Sequence, residues 1–387
     1  MKAIAAVLAT FAVAAATVGS TTDAAAQQAS ATWTVSVDPV LSIGELDGPD
    51  EYIFQSIARA LALLDDRIAV ADGGLKLIRI YDASGDFVLE IGSGGEGPGE
   101  FMDIRDMWLD DSGDMGVFDS ETLRLTRFGL EGSVRESRFV RPPPSDQLPP
   151  GTLQIFLGAF SDGSVGLGWL GGGGRLTSNS TTADRLVLGR FDHEGTFLGL
   201  MGEQTFFERV LYAGGGGGPV AFTPVPYWDV HADSLYFTDG LRPVIEVRDG
   251  SGNVGRTIAV PAVAADVDAA RSALARRLDD DRFATVENLN ESPRPKAIPT
   301  ISGLVVDDNG FVWVRAYEAP EDALWLAGDI NRSGGSWWVF DRSGQLAATV
   351  VMPAGLRPLD IRSDRIIGVS RDDLDVERVV VHTLGKS

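Results

Sequence analysis

Phe340-Asp341-Arg342-Ser343-Gly344 ends one apolar strand and turns the chain back into the next. The same turn, with variation, stands at Tyr81-Asp82-Ala83-Ser84-Gly85, Phe128-Gly129-Leu130-Glu131-Gly132, Phe191-Asp192-His193-Glu194-Gly195 and Arg248-Asp249-Gly250-Ser251-Gly252. Asp suits a tight reversal because its carboxylate accepts nearby backbone amides, and Gly because it adopts positive φ without steric cost. A turn that recurs along a chain marks a repeat architecture, and that decides fold class before any functional motif does.

Working outward from the turn, a second strand aligns in six places, at 67–72, 114–119, 164–169, 234–239, 311–315 and 365–369. Each follows an apolar strand that ends in an acidic turn, as in Leu64-Asp65-Asp66, Leu109-Asp110-Asp111-Ser112-Gly113 and Val306-Asp307-Asp308-Asn309-Gly310. Each unit therefore reads as a four-stranded antiparallel meander, and the chain as an all-β, six-bladed β-propeller. The last unit supplies a third strand at 377–384 and then stops, so its outermost strand is missing. The N-terminal stretches 33–37 and 40–43 have no unit of their own, and they are assigned to close the ring by pairing with the C-terminal blade.

The chain opens with Lys2, an unbroken small and apolar run from Ala3 to Val18, and a polar stretch ending in Ala24-Ala25-Ala26-Gln27. That pattern predicts a cleaved secretory signal peptide over 1–26 and a propeller domain over 27–387, in the periplasm or beyond. The absence of Cys from 387 residues excludes disulfides, thiolate chemistry, Cys-based zinc sites and a lipidated anchor. The fold must then be held by its core, and 44% apolar residues suffice for one. A formal charge of −22 repels nucleic acid and anionic membranes, so neither is an expected partner. No segment after the leader is apolar for long enough to span a bilayer, and the mature protein is expected to be a free monomer.

Blade spacing is uneven, and insertions account for it: Pro142 to Pro150, the Gly171 to Gly174 and Gly214 to Gly218 runs, and residues 262–300. The two glycine runs read as mobile loops. The last insertion contains a predicted helix from Asp266 to Leu278, with Asp266 as N-cap and Val267, Ala270 and Leu274 on one face.

Residues 91–132 carry a resemblance. Ile91-Gly92-Ser93-Gly94-Gly95-Glu96-Gly97-Pro98-Gly99-Glu100-Phe101 leads into an apolar strand, then Asp110-Asp111-Ser112-Gly113-Asp114, Val117-Phe118-Asp119, Arg124-Leu125 and Phe128. This stretch resembles an NHL-type propeller repeat, and the chain as a whole is similar to exported bacterial six-bladed propellers of the NHL and TolB-like kind. It departs from the NHL pattern where Met102-Asp103-Ile104 replace the usual Pro, and where Thr122-Leu123 stand in place of the usual Asn. The resemblance implies the fold and leaves the activity open.

Few residues invite a chemical role. The Gly-rich run at 92–99 lacks the Gly-Lys-Ser/Thr ending of a P-loop and opens no helix, so it reads as a connector between blades. Of the three histidines, His193 falls in a turn and His382 among valines on the last strand, while His231 follows Tyr227-Trp228-Asp229 on an inner strand near the axis. No pair of them has metal-ligand spacing. Asp106, Asp229 and Asp360 lie on or beside inner strands and are the candidates for an axial binding site, or for a divalent cation such as Ca2+. A shift of one residue in register turns such a side chain from the channel into the sheet. Trp325, in the insertion from Ala319 to Ser336, is a candidate contact residue.

The expected function is a rigid disc that presents loops to a protein or carbohydrate partner, without catalysis and without a cofactor. The alternative is a lactonase-like hydrolase or lyase with a divalent cation on the axis, as the resemblance to propeller enzymes implies.

Overall fold

A computed structural model describes residues 31–172, 180–212, 217–262, 265–278, 285–323 and 334–386. The leader at 1–26 and Trp325 lie outside the described residues. Six antiparallel sheets follow one another along the chain, making a six-bladed β-propeller. Their inner strands are Ile57–Ala62, Ile104–Leu109, Leu153–Ala159, Tyr227–His231, Ile301–Val306 and Arg357–Ile361, and they define blades 1 to 6.

The recurring turn works as its residue types dictate. Asp82 Oδ1 accepts the amides of Ser84 and Asp86, both at 2.9 Å, and Asp341 Oδ1 accepts those of Ser343 and Gln345 at 2.8 and 3.0 Å. Asp110 and Asp307, at the inner acidic turns, fold their own backbones in the same way. The glycine that closes each turn is left-handed, with φ of 89° at Gly85 and 88° at Gly344. At Gly252 a side chain is excluded twice over, because φ is 84° and a Cβ would lie 1.9 Å from the Met201 carbonyl oxygen.

Second strands such as Ile68–Asp72 and Met115–Asp119 are buried along their whole length, because each blade is covered on both faces. Period-two geometry sends alternate side chains to opposite neighbours. Val117 packs with blade 1 and Phe118 with blade 3; Ile366 packs with blade 5 and Ile367 with blade 1. A separate apolar cluster fills each junction between successive blades, including that between blades 6 and 1. Asp72 sits fully buried at the end of its strand and accepts the amides of Gln55, Ser56, Gly74 and Leu75, locking the loop into blade 1 onto the loop between its second and third strands. Asp119 holds Met102, Asp103, Glu121 and Thr122 in the same way in blade 2.

Blade 6 takes three strands from the C-terminal part of the chain, and N-terminal residues lie along their outer edge. Thr34 and Val35 pair antiparallel with Gly385 and Leu384, and Leu41, Ser42 and Ile43 with Val381, Val380 and Val379. Before reaching blade 6, Ala31 and Thr32 pair in parallel with Ala348 and Thr349 on the outer strand of blade 5. Between the two attachments Trp33 is 8% exposed, with its ring 5.5 Å from Phe311 and 5.7 Å from Trp313. The sequence reading did not anticipate the attachment to blade 5.

The described residues of the insertions carry regular structure. The helix runs Val267–Ala275, with Asp266 accepting the Ala269 amide at 2.7 Å, and a second helix, Val286–Glu291, follows. Ala270, Leu274 and Leu289 pack on Phe222, Ile298 and Tyr317. In blade 3 the outer hairpin, Thr181–Phe191 with Phe197–Leu211, extends beyond the other blades and gains a fifth strand, Gly217–Pro219, from a run read as a loop. Among the described residues no helix is long and apolar enough to cross a membrane.

Candidate functional site

Arg59 is a lone charge in the apolar strand Ile57–Ala62, and a bulge decides where it points. Ile57 pairs with Asp72 and Arg59 with Ala71, so Ala58 is skipped and the side chain that follows is re-aimed. The inner strand of blade 2 repeats the device, pairing Ile104 with Asp119 and Asp106 with Phe118. The inner strand of blade 6 shifts in the same manner between Pro358 and Asp360. Asp229 belongs to the inner strand of blade 4, which has no shift.

These residues converge electrostatically on Arg59. Arg59 Nε lies 3.5 Å from Asp106 Oδ1, an ion pair without hydrogen-bond geometry, and 33% and 30% of the two side chains stay accessible. Burial disfavours the Arg59 charge, yet Asp106, Asp229 and Asp360 together outweigh it and hold its pKa above the ordinary value. The carboxyl of Asp106 is raised by burial, against the pull of Arg59 and of the Met107 amide. Asp229 is pushed up to about 6, chiefly by burial, although the Val306 amide, Arg59 and the Val230 amide favour its charged form.

The carboxylates also tie blades together. Asp229 Oδ1 accepts the Val230 amide at 2.8 Å and Oδ2 the Val306 amide of blade 5 at 2.7 Å. Asp360 Oδ2 accepts the Ala62 amide of blade 1 at 2.8 Å and Arg362 Nε at 2.9 Å. The inner edge of an inner strand has no neighbouring strand, and these acids supply acceptors that the sheet does not.

Arg59, Asp106 and Asp229 line a cavity of about 470 Å³ together with Trp108, Phe156, Trp228 and His231. Trp108 stacks on Phe156 with ring centroids 4.8 Å apart, and Trp228 Nε1 donates to the Phe156 carbonyl at 3.3 Å. His231 reaches the cavity wall, but its Nε2 faces the turn at Gly310, 3.2 Å from where a Cβ there would stand. Burial lowers its pKa, with Arg342 acting in the same direction and Asp307 and Asp308 opposing it. Of the candidates read from sequence, Asp106, Asp229 and His231 thus share one cavity, and Asp360 joins them through Arg59. His193 is an exposed turn residue, and His382 is 4% exposed with Nδ1 2.7 Å from the Ser36 carbonyl oxygen. The reading missed Arg59 and Trp108; a single arginine between Ala58 and Ala60 was the available signal for the first.

Among the described residues, no three of His, Asp and Glu are grouped so as to hold a metal ion. Residues 40–140 match a family described as a 6-bladed beta-propeller. No curated protein matches the chain in sequence. Its fold is similar to that of a DUF4221-family protein from Bacteroides vulgatus, at 9% identity over 92% of this chain and all of that one, with a TM-score of 0.50. It is also similar to a virginiamycin B lyase from Staphylococcus aureus, at 13% identity over 94% of this chain and 97% of that one, with a TM-score of 0.41. A calcium-binding regucalcin from Agrobacterium tumefaciens follows at 10% identity, 92% and 97% coverage and a TM-score of 0.41. At such identities likeness speaks to fold alone. Six successive sheets and the match at 40–140 make the chain a six-bladed β-propeller.

Proposed function

We propose that the chain is an exported, monomeric propeller that works by binding, and that it holds a protein or glycan partner at the aromatic mouth of the axial cavity. One observation carries the reading: the axial acids are already engaged. Both Asp229 oxygens accept backbone amides, Asp360 clasps blade 1, and Asp106 faces Arg59. The positive charge among them is a side chain, so they do not fit a resident divalent cation. Trp108 and Trp228, both half-buried, instead give the wall flat apolar faces of the kind that sugar rings and peptide side chains stack against. Export rests on the leader read at 1–26.

A second reading, a hydrolase or lyase, is favoured by Asp229 alone, since a carboxyl pushed up to about 6 in a cavity suits acid-base work near neutral pH. Titration of neutral oligosaccharides and short peptides against tryptophan fluorescence separates the two readings. A ligand that quenches the wild type, is not turned over, and is lost in Trp228→Ala supports binding. Turnover that Asp229→Asn abolishes overturns it.

A further inference from the structure

The axial channel has a second cavity, of about 700 Å³, at the opposite ends of the inner strands, where blades 6, 1 and 2 meet. Ile57, Ala58, Ile104 and Arg105 line this cavity, and Arg59 and Asp106 line the other, so the ion pair stands between the two. Much of the wall is small, including Ser56, Ala58, Gly73 and Gly74, which leaves room for a ligand. Gly355 has φ of 81°, and a Cβ there would meet nothing within 4 Å.

Three arginines reach this space against two acids, in a chain whose formal charge is −22. Glu377 is 7% exposed and fully committed: Oε1 accepts Arg371 Nη2 at 2.7 Å and Oε2 the Ile57 amide at 2.6 Å. Arg371 also meets Asp375 at 3.0 Å, and Arg357 Nη2 donates to the Ile57 carbonyl at 3.1 Å. Arg105 is the residue that its bulge squeezes out of the ladder. Its Nε lies 2.8 Å from Asp103 Oδ2 and 3.2 Å from the Ser120 hydroxyl. Its two terminal amino groups make no hydrogen bond among the described residues, and 45% of its side chain is accessible. A guanidinium anchored through Nε presents the forked pair of donors that matches a planar oxyanion.

We propose that this cavity binds a small molecule through a carboxylate or phosphate group, with Arg105 gripping the oxyanion and Arg357 lining the wall beside it. The volume exceeds what an oxyanion alone requires, so a neutral remainder the size of a sugar is accommodated beside it. The proposal is independent of the aromatic cavity beyond Arg59.

Calorimetric titration of the full chain at low salt with galacturonate, glucose 6-phosphate and neutral galactose tests this. At least one of the two anions is expected to bind and galactose to fail; which anion binds distinguishes carboxylate from phosphate recognition. Arg105→Gln, at an accessible side chain, is expected to melt like the wild type and to weaken binding about tenfold or more, as loss of a charged hydrogen bond implies. No heat from either anion up to about 10 mM overturns the proposal, as does affinity unchanged in Arg105→Gln or equal binding of galactose.

Discussion

Asp229 Oδ2 on the inner strand of blade 4 accepts the Val306 amide on the inner strand of blade 5 at 2.7 Å, so a group with a displaced pKa is also a fastener between blades. Its carboxyl is pushed up to about 6, against about 3.9 in an unfolded chain. Between those values the folded state holds a proton that the unfolded state has released, so stability falls as pH rises through that window and levels off above it. The urea midpoint is expected to be lower at about pH 7 than at about pH 5 for this group's contribution. Asp229→Asn should flatten that part of the profile and lower stability throughout, because an amide has a single acceptor oxygen for two backbone donors. A slope that persists in the variant assigns it elsewhere.

Arg59→Met removes the charge on which Asp106, Asp229 and Asp360 converge. A fully buried pair broken from one side costs about 3–5 kcal/mol; with a third of each side chain accessible, roughly 2 kcal/mol is expected from denaturant melts. Adding Asp106→Leu should recover part of the loss, and a double-mutant cycle measures the coupling.

Trp33→Ala empties a site beside Phe311 and Trp313 and should cost about 3–5 kcal/mol in thermal or chemical denaturation. Removal of residues 31–43 should unfold the propeller cooperatively, since it strips the outer edge of blade 6 and its link to blade 5. Unchanged melting of the truncated chain would show that the strap is dispensable.

Asp72→Ala leaves four backbone amides without their acceptor in a fully buried position. With charged hydrogen bonds worth about 1.5–3 kcal/mol each and far from additive, a loss of about 3 kcal/mol or more is expected. Asp82→Ala, in the exposed turn of the same blade, should cost much less, and the contrast between the two melts is the check.

Purified protein is expected to contain no stoichiometric divalent metal and to melt at the same temperature with or without EDTA, because the Arg59 guanidinium already stands among the axial carboxylates and Arg362 pairs with Asp360. A bound cation at one equivalent that EDTA removes, with a fall in melting temperature, would favour the hydrolase reading.

The recurring turn was legible because its chemistry is local. Asp82 and Asp341 bond amides two and four residues on, and Gly85 and Gly344 adopt the φ that other residues avoid, so the pattern Asp-x-x-Gly states its own conformation. From the six second strands that align around it came the blade number, and from alternating apolar strands the cores between blades. The axial acids could be named but not aimed. Bulges after Ile57, Ile104 and Pro358 set where Arg59, Asp106 and Asp360 point, and a single skipped residue leaves no trace in composition. Arg59 gains its meaning from carboxylates on three other blades, and Ala31 and Thr32 gain theirs from a strand more than three hundred residues on. Local backbone chemistry is written in adjacent residues and was determined by sequence alone; which charges meet on the axis depends on how six sheets close around it, and only the tertiary structure decided that.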